Sequence, residues 1–151
     1  MNDTMTNSVS REIPASAQEI FDVLSNPERH VDTDASGMVQ SVDKGERLKE
    51  VGDTFVMNMH KEDGDYKTEN EVFAFIDGRT IGWKNLKNLT ADVEVGSKWL
   101  YELDPIGAGN TKVTLTYDRS EIENPEVCAM SKKFDEAALE PSLAKLAESL
   151  S

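Results

Sequence analysis

One cysteine in 151 residues, Cys128, excludes any internal disulfide framework and suits a reducing compartment. Long apolar runs are also missing: none approaches the roughly 20 residues that a membrane-spanning helix needs. The polar stretch from Met1 to Ser10 lacks the basic and apolar regions of a secretory signal. A cytoplasmic protein without membrane insertion is therefore expected. Positive charge is scarce as well. Asp and Glu number 29 against 16 Lys and Arg, a formal net charge of −13. Nucleic-acid binding draws much of its affinity from cationic side chains on phosphates, so no nucleic-acid partner is expected. Several enzyme signatures are absent too: no P-loop, dinucleotide fingerprint, zinc-ligand cluster or serine nucleophile elbow occurs. No cofactor and no structural metal is expected.

What remains is one domain over residues 1–151, long enough to bury a core without staples. Its clearest pattern runs from Trp99 to Tyr117. Trp99, Tyr101 and Leu103 alternate with Leu100, Glu102 and Asp104, a turn follows at Pro105 to Asn110, and Val113, Leu115 and Tyr117 resume the alternation. This is a hairpin with one aromatic, apolar face that something must cover.

Upstream, Val9 to Ile13 reads as a first strand. Ser16 with Glu19 forms a capping box for a helix whose buried side is Ile20, Phe21, Val23 and Leu24. Asn26-Pro27 stops that helix, and a further helical turn from Pro27 is expected. Strands follow at Met38 to Val42, at Phe55-Met57-Met59, at Tyr66 to Ile76 with a bulge near Val72-Phe73, and at Thr80 to Lys84 after a two-residue Asp77-Gly78 turn. Residues 85–96 read as a loop and a frayed edge strand. From Pro125 onward a long helix is expected, with stripes at Val127, Met130 and Phe134 and at Leu139, Leu143, Leu146 and Leu150. Pro141 should kink it or shift its buried face.

Strand, short helices, a run of antiparallel strands and a long final helix make an α+β helix-grip arrangement: a curved sheet of about seven strands wrapped around the C-terminal helix. In that order, Ile13-Pro14-Ala15-Ser16 with Ile20 to Pro27, Val51-Gly52-Asp53-Thr54-Phe55, Arg79 to Trp83, and the hairpin Trp99 to Leu103 with Thr111 to Tyr117 make the chain resemble the START-like (SRPBCC) superfamily, and within it the polyketide cyclase/dehydrase-like proteins. The resemblance implies a pocket beneath the long helix. Met57, Phe73 (or Phe75), Trp83, Trp99, Tyr101, Tyr117, Met130 and Phe134 are its candidate lining, because Met adapts to irregular ligands and Trp and Tyr carry a polar handle. Filled tightly, the same residues are simply a core.

His30 is placed by this reading at the pocket mouth. There it could hold a ligand oxygen or act as a general base, the resemblance implying the latter role; the alternative is an exposed or capping histidine. No second residue pairs with it in sequence. His60 reads as a surface residue. Asp32, Asp34, Ser36, Gly37, Val39 and Asp43 match an EF-hand loop, but the exit runs through Gly45 and Gly52 into a strand and position 12 is Asp, so an acidic connection is expected rather than a calcium site. Cys128 reads as an inert thiol at the start of the last helix. The resulting expectation is a small hydrophobic or amphipathic ligand bound between sheet and helix. Alternatives are a cyclase or dehydratase on a polyketide-like or aromatic substrate, with His30, Tyr101 or Tyr117 as polar groups, and a protein-interaction module of the chaperone-activator type.

Overall fold

The computed structural model describes residues 6–30, 39–45, 47–61, 64–131 and 136–150. Eight strands form one antiparallel sheet: β1 (Thr6–Ile13), β2 (Val39–Lys44), β3 (Thr54–Lys61), β4 (Gly64–Ile76), β5 (Thr80–Asn88), β6 (Val93–Glu94), β7 (Lys98–Gly107) and β8 (Asn110–Asp118). The order across the sheet is β1-β8-β7-β5-β4-β3-β2, with β6 paired to β5. Helix α1 (Ala17–Leu24) and a 3-10 turn (Pro27–Arg29) follow β1; α2 (Pro125–Ser131) and α3 (Glu136–Ser149) close the chain. This is the α+β helix-grip architecture.

Local chemistry sets the ends of α1. The Ser16 hydroxyl accepts from the Glu19 amide at 3.1 Å, while the Ser16 amide donates to Glu19 Oε1 at 3.2 Å. These two bonds satisfy helix-start donors that would otherwise lack partners. Ile20, Phe21, Val23 and Leu24 of α1 are all buried, and α1 lies against β5 and β7. At the other end of the chain, Leu139, Leu143 and Leu146 are fully buried on the face of α3 that meets β1 and β8. Leu139, before Pro141, and Leu143 and Leu146, after it, belong to one buried stripe; Phe134 of the preceding stripe lies outside the described residues. Pro141 lies inside α3 and removes the backbone donor that would serve the carbonyl four residues before it.

Two expectations change. The β4–β5 register pairs Ile76 with Thr80, leaving a three-residue turn instead of two. Its middle residue, Gly78, takes φ +75°, and the Arg79 amide donates to the Ile76 carbonyl at 2.9 Å. Residues 85–88 continue β5 rather than forming a loop, and their extension carries Asn85 into the sheet. The bulge expected near Val72-Phe73 is present, as a register shift between Val72 and Ala74.

Of the EF-hand-like stretch, residues 32–38 lie outside the described residues, and Val39 and Asp43 belong to β2. Among the described residues no group of His, Cys, Asp and Glu is placed to hold a metal ion, and no helix is long and apolar enough to cross a membrane.

Candidate ligand site on the inner face of the sheet

Strand alternation and register bring the aromatic side chains together on the face that the helices cover. Trp83 of β5 is paired with Trp99 of β7 and with Val72 of β4, Trp99 with Tyr117 of β8, and Tyr101 with Leu115. The Trp83 and Tyr101 rings have centroids 5.7 Å apart, and those of Trp99 and Tyr117 are 4.4 Å apart. Phe55, from β3, meets Trp83 edge-on at 6.0 Å, and Met57 follows it on the same face, buried. Trp83 and Trp99 pack on the core yet keep part of their surface accessible.

His30 lies inside this group. Its ring stacks on Trp83 at 4.5 Å with a 20° interplanar angle and meets Phe55 edge-on at 5.4 Å. It is 6% exposed, so the expected position at an open mouth is corrected. The physical reason is a cap: Nε2 lies 2.8 Å from the carbonyl of Leu24, the last residue of α1. A carbonyl can only accept, so Nε2 carries the hydrogen and donates. Burial lowers the His30 pKa to about 4, against a partial upward pull from that bond. The ring is neutral at physiological pH.

A polar row crosses the same face. The Trp99 indole N–H and the Ser97 hydroxyl both donate to Asn85 Oδ1, at 2.9 and 2.6 Å. Asn85 Nδ2 donates to Asn70 Oδ1 at 2.5 Å, and Asn70 Nδ2 in turn donates to the carbonyls of Thr68 and Phe55 at 3.2 and 3.4 Å. Tyr117 joins the row through hydrogen bonds with Ser97 and with Ser131 of α2. Burial raises the Tyr117 pKa, and these bonds partly offset the rise. Arg119, next in phase on this face, is buried beside it. Buried polar groups are tolerated in a core when hydrogen-bonded, and Asn70, Asn85, Ser97, Trp99 and Tyr117 each hold at least one such bond.

The structure therefore brings together Met57, Trp83, Trp99, Tyr101, Tyr117 and His30. Phe73 is not with them. As the extra residue of the bulge it lies on the opposite face, over Gly82 and beside Leu100, with Lys98 Nζ 5.1 Å from its ring centroid. Phe75 takes the inward position instead, edge-on to Phe21 of α1 at 5.2 Å. Phe134 and the Met130 side chain lie outside the described residues. Asn85, Asn70, Ser97 and Arg119 were not anticipated. The available signal was phase: Asn85 follows Ile81 and Trp83 at the spacing of one strand face. His60 is exposed and bonded to Asp65 at 2.7 Å, as a surface residue would be.

On the outer face, Glu121 bridges Lys84 at 2.9 Å and also Lys98. Those two lysines lower its pKa to about 2. A separate cleft of about 350 Å³ opens beside α1, lined in part by Phe21, Leu48, Phe75 and Arg47. The Arg47 guanidinium there is taken up by the Asp22 carbonyl and the Ser25 hydroxyl. That cleft carries neither tryptophan, so the inner face is the stronger candidate site.

No family model matches the chain. It is 26% identical over 146 residues to the uncharacterized protein Rv0088 of Mycobacterium tuberculosis, covering 92% of this chain and 61% of that protein. The chain thus spans less than two thirds of the length of that relative. Among solved structures it is similar to the ZhuI aromatase/cyclase of a Streptomyces species, with a TM-score of 0.72 and 11% identity over 96% of this chain and 92% of that one. It is also similar to the Aha1 dimer protein of Colwellia psychrerythraea, with a TM-score of 0.61 and 15% identity over 97% and 96% of the two chains. At such identities the likeness is one of fold: this chain shares the α+β helix-grip fold with these structures.

Proposed function

We propose that the protein binds a small amphipathic ligand between the inner face of the sheet and the C-terminal helices. The observation that supports this reading is the pairing of two part-accessible tryptophans with a polar row on one otherwise buried face. A core that served packing alone gains nothing from a line of amide and hydroxyl groups through its centre, because each must be satisfied. A pocket gains orientation from a few such groups set in an apolar wall. The apolar body of the ligand lies against the accessible parts of Trp83 and Trp99, and its polar end faces Asn85.

A cyclase or dehydratase reading shares the same face and draws on the aromatase/cyclase of like fold. It has less support. His30, with its pKa near 4 and its Nε2–H given to the Leu24 carbonyl, is a weak base at neutral pH. An interaction module has less still: among the described residues the large exposed apolar side chains, Val51, Ile76, Leu89 and Ile106, fall on separate stretches of chain.

Trp83 and Trp99 are the two tryptophans of the chain, so intrinsic fluorescence reports on this face directly. Titration with fatty acids, flavonoids and polyketide-like aromatics should give saturable quenching with one class. The same class should raise the melting temperature, since a ligand at about 100 times its Kd adds about 2.7 kcal/mol. The proposal fails if none of these classes produces either effect, or if Trp99→Ala leaves the affinity of a stabilising ligand unchanged.

A further inference from the structure

The hydrogen-bond count of the polar row singles out one atom. The Trp99 indole nitrogen can only donate, so the atom it meets at 2.9 Å must be the amide oxygen of Asn85, which removes any doubt over which way that amide points. The Ser97 hydroxyl gives its hydrogen to the same oxygen at 2.6 Å. On the other side, Asn70 is oriented by donating its own amide to two backbone carbonyls, and so presents an oxygen to Asn85. Asn85 Nδ2 gives that oxygen one hydrogen at 2.5 Å. A primary amide has two. The second meets no acceptor among the described residues, and Asn85 is only half-buried on a face that carries both tryptophans.

We infer that Asn85 is the orienting donor of the site, and that the ligand presents a carbonyl or carboxylate oxygen to it from a flat apolar body. This inference rests on the pocket reading above and narrows it. Two hydrogen bonds accepted by Oδ1 draw electron density from the amide and strengthen the remaining N–H as a donor. Three fixed contacts, to Trp99, Ser97 and Asn70, hold the amide in place, so little side-chain freedom is lost when the ligand binds. The buried Arg119 cation farther along the row also favours an electron-rich oxygen over an ammonium or other cationic group. The sheet thus supplies part-accessible indoles at Trp83 and Trp99 and a donor two residues beyond Trp83 on the same strand face.

The test compares size-matched probes with and without a carbonyl, using the full chain and isothermal titration calorimetry: 2-acetylnaphthalene against 2-ethylnaphthalene, and anthrone against 9,10-dihydroanthracene. The carbonyl member of a pair should bind about tenfold tighter. In Asn85→Asp the oxygen that serves Trp99 and Ser97 is retained, the bond to Asn70 Oδ1 is lost, and the free donor becomes an acceptor. The preference for the carbonyl member should then vanish or reverse. Circular dichroism and thermal melting report whether that variant folds; if it does not, the wild-type comparison decides alone. Equal binding of both members to the wild type, or a preference that survives in a folded Asn85→Asp, overturns the role of Asn85 while the pocket stands. Failure of every member of both pairs to bind overturns this inference, and the titration with fatty acids, flavonoids and polyketide-like aromatics then decides the pocket reading.

Discussion

Burial of His30 should make the stability of this fold depend on pH in the mildly acidic range. The ring is 6% exposed, stacked on Trp83 and tied to the Leu24 carbonyl, and its pKa falls from 6.5 to about 4. The unfolded chain, with an ordinary histidine, takes up a proton as pH drops through 6.5, whereas the native state resists until about 4. The unfolded state therefore binds more protons in that window, so native stability declines as pH falls through it. The stability is complete above pH 6.5 and the loss levels off below about 4. The whole shift corresponds to about 3 kcal/mol at 1.36 kcal/mol per unit, and about 2 kcal/mol of it should be gone between pH 7.5 and pH 5.

The assay is urea unfolding of the wild type and of His30→Phe at both pH values. Phenylalanine keeps an aromatic ring for Trp83 and Phe55 but cannot titrate. Whatever fixed penalty the substitution carries is independent of pH, and other titrating groups contribute to both proteins alike. The stability difference between the two should therefore shift by about 2 kcal/mol in favour of the variant on going from pH 7.5 to pH 5. A difference that stays constant within the error of the measurement would show that the ring is solvated, and the stacked, capped geometry would be refuted with it.

Two further predictions concern the packing that holds the site. Leu143 is fully buried at the centre of the α3 stripe, so Leu143→Ala should lower the unfolding free energy by about 2–5 kcal/mol in denaturant titration; a loss below 1 kcal/mol would mean that α3 is not seated on β1 and β8. At Gly82 an added Cβ would come within 2.8 Å of the Phe73 ring and 3.0 Å of the Leu100 side chain. Gly82→Ala should therefore destabilise by about 1–3 kcal/mol, with part of that loss relieved when Phe73→Ala is added. Strictly additive effects in the double-mutant cycle would place the Phe73 ring elsewhere.

Much of the architecture was legible because its causes are local. The Ser16–Glu19 capping box spans one helical turn, and each of its bonds joins residues three apart. Alternation in Trp99 to Leu103 and Val113 to Tyr117 is dictated by the two-residue pleat, and the structure pairs those residues one to one. The site was only partly legible. Met57, Trp83, Trp99, Tyr101 and Tyr117 follow from phase alone, but the phase of β4 changes at its bulge. One extra residue there sends Phe73 to the outer face and Phe75 to the inner one, and no local pattern says which.

By itself, then, the sequence determined the strands, the capped first helix, the final leucine stripe and the acidic balance, since each depends on neighbours a few residues apart. The tertiary structure alone decided where His30 and Asn85 act. His30 is defined by Trp83, 53 positions further along the chain and stacked on it. Asn85 is defined by Asn70, Ser97 and Trp99, which come from two neighbouring strands and the lead into one of them. Such meetings are set by strand register across the sheet, a long-range property that no short stretch of sequence encodes.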